Sequence, residues 1–160
     1  MDSTWQLPLV LAAMLGNALL AGTFYAFTCA IRPGFRSLGD LEYVLVFRRI
    51  NAAILNPGFL LVFLLTPLGS LACTLLLYRS WQESWLLVAA AALSLASFLI
   101  TVIVNVPLNK LLATRSIDAP WQQRRARRQF EAPWNRWNAL RMLASCGAVL
   151  FFTAGLLHTV

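Results

Sequence analysis

Acidic residues are scarce in this chain: six Asp and Glu in 160 residues, against thirteen Lys and Arg and a single histidine. Charged residues of both signs make up 12%, about half the share of an ordinary soluble domain, while 59% are hydrophobic. This is the composition of a membrane protein. The lone histidine, His158, stands near the C-terminus, and no carboxylate or thiol pair has ligand spacing, so a metal centre is not expected. Cys29, Cys73 and Cys146 fall in three different apolar runs and read as small packing residues, not as a disulfide framework or zinc site. There is no phosphate loop, dinucleotide fingerprint or nucleophile elbow. Nothing in the sequence calls for a cofactor.

What the sequence has is four long apolar runs, at about residues 7–31, 57–78, 85–106 and 138–159. Each approaches or exceeds the roughly 20 residues that cross a bilayer core. The expected fold is therefore all-α, an integral membrane up-and-down four-helix bundle occupying residues 1–160 as one domain. The first run reads as a span of the mature chain. Asp2 rather than a basic residue precedes it, and it is longer than the roughly 7 to 15 residues of a signal core.

Arg32, Arg36, Arg48 and Arg49 lie between runs 1 and 2, and Lys110, Arg115, Arg124, Arg125, Arg127, Arg128 and Arg136 between runs 3 and 4. The other side carries Arg79. The positive-inside rule then places both long loops in the cytoplasm and both termini outside, as expected for a plasma (inner) membrane protein. Trp5, Trp81 and Trp85 suit the outer aromatic belt, and Trp121, Trp134 and Trp137 the inner one. Beside a membrane, the run Arg124, Arg125, Arg127, Arg128 reads as a topology determinant resting on anionic lipid, so no nucleic acid partner is implied.

In "LEYVLVFRRINAAI", Leu41, Val44, Leu45 and Arg48 fall on one face at helical spacing, which predicts an interfacial helix. Asn56 followed by Pro57 suits an N-cap and first helical residue for span 2, which Pro67 should kink. Asp118 is placed to cap a short helix from Pro120 to about Phe130, with Pro133 separating it from span 4.

The clearest polar pattern is in span 3, where Ser94, Ser97, Thr101, Asn105 and Asn109 recur every three or four residues. Pro107 removes the usual helical donor for the Ile103 carbonyl. In span 1, Asn17, Ala21, Tyr25, Thr28 and Arg32 read as one face, and Ala18, Gly22, Ala26 and Ala30 as a small-residue stripe suited to close helix packing. Span 4 presents Trp134, Asn138, Arg141 and Ser145 together. Arg141 lies one turn inside that span, where a cation is costly unless it snorkels, pairs or faces a wet cavity. The inner interface is about 5 Å away at 1.5 Å per residue, so snorkelling is one reading. Pairing with Glu131, the nearest acid in sequence, and contact with a ligand are the others.

Buried asparagines commonly bridge helices in membranes at about 0.6 kcal/mol each. Asn51, Asn56, Asn105, Asn109 and Asn138 at one depth also fit a polar-floored pocket opening near the cytoplasmic leaflet. With Tyr25 and aromatic walls, such a site suits a flat, lipophilic, oxygenated molecule whose enolate or phenolate its donors would stabilise. A transporter lacks a carboxylate within the spans to couple protons, and one four-helix protomer is thin for a pore, an objection a homo-oligomer would answer.

The segments "AGTFYAFTCAIRPGF", "INAAILNPGFLLVF", "TVIVNVPLNKLL" and "FEAPWNRWNALRMLAS" together resemble the anthrone oxygenase-like family of small four-helix membrane proteins, long catalogued as a domain of unknown function. The resemblance covers nearly the whole chain. It implies an oxygenase that converts anthrones to anthraquinones with molecular oxygen and without an evident metal or flavin. Asn105 and Asn109 match the family's N-V-P-x-N segment, Trp137, Asn138 and Arg141 its W-N-x-x-R segment, and Asn51 and Asn56 its segment leading into span 2. On that footing Arg141, Asn138, Asn109 and Asn105 are the candidate catalytic residues. Asn51, Asn56, Tyr25, Trp134, Trp137 and Glu131 are the candidate substrate-binding residues, with Glu131 or Tyr25 as proton acceptor. The expected partners are membrane lipid and a lipophilic aromatic small molecule. The alternative is a non-catalytic module that binds a quinone-like or lipid ligand, or a subunit of a membrane complex.

Overall fold

Lipid offers no partner to a backbone N–H or C=O, so a chain with four apolar runs satisfies these groups within helices. The computed structural model describes residues 5–78 and 81–158, with backbone alone for residues 81–83 and 158. Asp2, Arg79 and the side chains of Trp81 and His158 lie outside the described residues. All regular elements among those described are helical. Helix α1 (Gln6–Ala26) continues through a π turn (Phe27–Ile31), one α turn (Arg32–Gly34) and a 3-10 turn (Phe35–Ser37). Helices α2 (Asp40–Ala53) and α3 (Pro57–Leu77) follow. Helix α4 (Trp81–Ile100) runs through a second π turn (Thr101–Asn105) into α5 (Val106–Thr114), and α6 (Pro120–His158) completes the chain.

Four stretches are long and apolar enough to cross a membrane: Gln6–Ser37, Pro57–Leu77, Ser84–Thr114 and Pro120–Leu157. Helix α1 packs on α3 and α6, and α4 packs on the same two, so the four spans close into a ring in chain order. Three of these helices extend beyond the apolar runs at the basic end of the bundle, where α2 packs across α5 and α6.

Both π turns have the same cause. Pro33 and Pro107 each stand two residues past a five-residue π segment. A proline ring collides with the carbonyl four residues back. Here that carbonyl belongs to Cys29 or Ile103, inside a wider turn closed by Arg32 N–H to the Phe27 carbonyl or Val106 N–H to the Thr101 carbonyl.

The fourth span corrects the sequence reading. Pro133 does not separate a short helix from span 4; α6 is one helix of 39 residues with Pro133 inside it. Ala126, Phe130, Trp134, Asn138 and Arg141 form one buried line on both sides of the proline, so packing holds the flanks in register against the local cost. Asp118 does not cap it either. Its carboxylate accepts from Ser116 Oγ at 2.6 Å, while Gln122 Oε1 accepts the Ala119 N–H at 2.9 Å. At the start of α3, Asn56 Oδ1 accepts the Phe59 N–H at 3.0 Å, with Pro57 as first residue. Pro67 is buried inside α3, which is one continuous helix.

Helix α2 forms where the sequence places it but turns a different face inward. Tyr43, Val44 and Phe47 are buried, whereas Leu41 and Leu45 point outward. Apolar residues run round most of this helix, and the two aromatic rings bury the larger area. They join Phe27, Leu112, Ala126, Phe130 and Trp134 in a cluster at the basic end, with ring centroids of Phe47 4.6 Å from Phe130 and 4.8 Å from Trp134. Trp134 is thus a core residue and not part of an aromatic belt. Two arginines lock the cluster. Arg48 donates to the Leu112 carbonyl at 3.0 Å and to the Arg115 carbonyl, closing the C-terminal end of α5. Arg127 pairs with Glu131 at 2.7 Å and Asp40 at 3.4 Å, and lies 4.4 Å over the Tyr43 ring. Burial raises the Tyr43 phenol pKa above its ordinary range.

Toward the other end, Asn17 donates to Ser70 Oγ at 3.0 Å and Ser70 to Ser94 Oγ at 3.1 Å, linking α1, α3 and α4. Gly16 permits the close approach of α1 to α3, since a Cβ there would collide with Thr66. The stripe Ala18, Gly22, Ala26, Ala30 is exposed and faces away from the bundle, so it does not pack the spans together.

Candidate functional site

A strict spacing of four drifts off one face of an α-helix, because each step overshoots a full turn by about 40°. The polar stripe of the third span stays in line because Thr101–Asn105 is a π turn, which turns less per residue and cancels one overshoot. All five stripe residues reach another helix. Ser94 accepts from Ser70, Ser97 shares a hydrogen bond with Ser145 at 2.9 Å, and Thr101 Oγ1 accepts from Arg141 at 3.2 Å. Asn105 Nδ2 donates to the Trp134 carbonyl at 3.4 Å, and Asn109 Oδ1 accepts the Trp134 indole N–H at 2.8 Å.

Arg141 is the centre of this network. Its side chain neither snorkels nor meets Glu131: the residue is 5% exposed, and Glu131 is held by Arg127. The guanidinium donates to Thr101 Oγ1 and, at 2.8 Å, to Asn138 Oδ1. Its planar faces meet rings, with the central carbon 4.3 Å from the Phe24 centroid and 5.4 Å from that of Trp134. Its Nε has no acceptor, and the buried Asn105 Oδ1 has no donor. No carboxylate among the described residues pairs with this cation.

Asn138 fixes the guanidinium from below. Its amide donates to the Phe24 carbonyl at 2.9 Å and to Thr28 Oγ1 at 3.0 Å, joining α6 to α1 at the π turn. The two π turns therefore flank the same stretch of α6, consistent with the tendency of such turns to occur at functional positions.

The structure brings together Arg141, Asn138, Asn105, Asn109 and Trp134, and leaves other candidates elsewhere. Tyr25 is 57% exposed on the outer side of α1, because the buried line runs Asn17, Leu20, Ala21, Phe24, Phe27 and drifts away from a four-residue repeat. Glu131 belongs to the Arg127 ion pairs, so neither it nor Tyr25 stands beside Arg141 to take a proton. Asn56 is an exposed helix cap. Asn51 is half-buried with Nδ2 unpartnered, and Trp137 is half-buried. Asn105, Asn138 and Arg141 are buried among neighbouring side chains, and they do not line the groove walled by Arg32, Arg128 and Arg136 or the small cavity beside Phe27 and Tyr43. Phe24 supplies both a ring face and a carbonyl to the network. No sequence signal sets it apart from the other nine phenylalanines.

The family model described as anthrone oxygenase matches residues 47–151. The chain belongs to the anthrone oxygenase family. The matched segment holds Arg141, Trp134 and all four asparagines from Asn51 to Asn109, as well as Asn138, and stops short of α1. Phe24 and Thr28, the contacts that the first span of this anthrone oxygenase family member supplies, thus lie outside it. Neither the comparison with curated proteins nor that with solved structures gives a match.

Proposed function

We propose that this protein is a membrane oxygenase that oxidises a planar phenolic or anthrone-type substrate with molecular oxygen, without a metal or flavin. The observation that carries the reading is Arg141: a cation 5% exposed inside a span, held by neutral acceptors and rings, with no anion beside it among the described residues. A buried charge left uncompensated costs several kcal/mol. An oxyanion on the substrate would supply the missing counter-charge.

In the proposed reaction, the acidic C–H proton passes to water and leaves the anthrone as its enolate, whose oxygen Arg141 stabilises, while Asn105 Oδ1 accepts a hydrogen bond from a ring hydroxyl of a phenolic substrate. The enolate reduces oxygen and combines with it to a peroxide, which regains a proton and loses water. Anthrone and oxygen thus yield anthraquinone and water, with four electrons passing from the substrate CH2 to oxygen. A flat aryl ring would take the place of Phe24 or Trp134 against the guanidinium face. The localisation that goes with this reading is the plasma membrane, with the basic end in the cytoplasm.

A second reading rests on the packing. Asn105, Asn109 and Asn138 each bond to a residue of another helix, as structural bridges would. Aerobic and anaerobic incubation of the purified protein with a simple anthrone separates the two. Oxygen uptake above the spontaneous rate, lost in Arg141→Met, is the expected result; uptake equal to the buffer control refutes the oxygenase reading.

A further inference from the structure

Helix α6 carries Arg128, Ala132, Asn135, Arg136 and Ala139 at helical spacing, and the end of the first span carries Arg32 and Arg36 one turn apart. These residues face one another across an open groove of about 600 Å³ that also touches Glu131. The two alanines leave the floor low. Four guanidinium groups and one carboxylate therefore surround the groove, and the carboxylate is already taken, since Glu131 holds Arg127 at 2.7 Å.

The arginines with a structural role in this fold are recognisable by their partners: Arg48 has two carbonyls, Arg127 two carboxylates and two carbonyls, and Arg141 a hydroxyl and an amide. The side chains of Arg32, Arg36, Arg128 and Arg136 make no hydrogen bond or ion pair among the described residues. Arg124 and Arg125 are also exposed and unpaired among the described residues, but they do not line this groove. Four like charges gathered round one groove repel, and a ligand with matching negative charge removes the repulsion.

The position of the groove selects the ligand. Its far end, Ala139, lies inside the apolar run of α6, and the next outward side chains, Leu140 and Leu143, are 40% and 60% exposed. A molecule seated there meets cations at one end and an apolar helix surface at the other. We infer that the groove is a binding site for an anionic glycerophospholipid, with phosphate held by Arg32, Arg36, Arg128 and Arg136 and acyl chains along the outward face of α6. Guanidinium groups bind phosphate oxygens in pairs, so four of them match a headgroup with two phosphates better than one. Basic recesses between membrane helices are suited to such headgroups.

The test is lipid titration of the delipidated protein in neutral detergent, read by native mass spectrometry and by melting temperature. Diphosphatidylglycerol should bind more tightly than phosphatidylglycerol, and phosphatidylcholine least. The double variant Arg128→Gln/Arg136→Gln should weaken the diphosphatidylglycerol interaction by about tenfold or more. The control Arg124→Gln/Arg125→Gln, with the same charge change outside the groove, should stay within about twofold. Arg128→Lys/Arg136→Lys, which keeps the charge, should fall between them and shows that the site survives substitution. Equal losses in the two Gln pairs, or equal binding of phosphatidylcholine, overturn the proposal. So does glycerol 3-phosphate raising the melting temperature as much as the lipid at equal concentration, which would make this a soluble-anion site.

Discussion

Replacing Arg141 by methionine tests the site through two opposite signs. The substitution removes two hydrogen bonds, worth together about 1 kcal/mol in a membrane, and a desolvated cation–π contact worth about 2 kcal/mol. It also leaves Asn138 Oδ1 without the guanidinium donor. Against these losses stands the burial of an unpaired cation, a penalty of several kcal/mol that methionine does not carry. The balance predicts stability unchanged or raised by about 1 to 4 kcal/mol, the range seen when buried ionic groups give way to well-packed apolar ones. At about 2 to 4 °C per kcal/mol for a chain of this size, melting followed by tryptophan fluorescence in detergent should hold or rise by several degrees. Activity should move the other way: loss of a preorganised donor to an oxyanion lowers turnover by about 100- to 1,000-fold, read on an oxygen electrode with an anthrone. A variant that melts well below the parent while still consuming oxygen at the parent rate would refute the argument, because Arg141 would then be a structural bridge.

Three further outcomes follow from the packing. Asn138→Ala removes the donor to Phe24 and Thr28 and the acceptor of Arg141, and should lower stability by about 1 to 3 kcal/mol in the same melting assay. Gly16→Ala should destabilise by about 1 to 3 kcal/mol through its collision with Thr66, whereas Gly22→Ala, with no atom within 4 Å of the added Cβ, should be neutral or stabilising by up to about 1 kcal/mol. Pro133→Ala restores a backbone donor inside a continuous helix and should raise the melting temperature, with unchanged helical content by circular dichroism.

Hydropathy alone located the four spans, because crossing lipid demands long apolar helices and tolerates little else. The span 3 stripe was equally legible: polar side chains in a greasy segment have few places to go but another helix. Tertiary effects were less accessible. Pro133 breaks a helix by local rule, yet the buried line from Ala126 to Arg141 overrides it. Tyr25 obeyed a four-residue repeat, but the true turn of α1 carries it outward, and a polar tip gave no warning of that. The partner of Arg141 could not be read from the nearest acid in sequence, since Glu131 found a closer cation in Arg127. Phe24 had no polar group to announce it; its contribution is a ring face and a carbonyl, which any residue sequence hides.

The paired π turns bear on how this chain can change in length. Each holds one residue more than an α-helix spanning the same contacts would need, so the first and third spans carry a built-in single-residue surplus. Deleting one residue between 102 and 104 would convert the segment to ordinary α-helix while both flanks kept the faces they now present. Asn109 would stay on the Trp134 indole, and the span would keep nearly its full reach across the membrane. The same deletion in ordinary α-helix would swing everything after it by about 100° about the axis, so these two places are where a span can lose a residue without losing its partners.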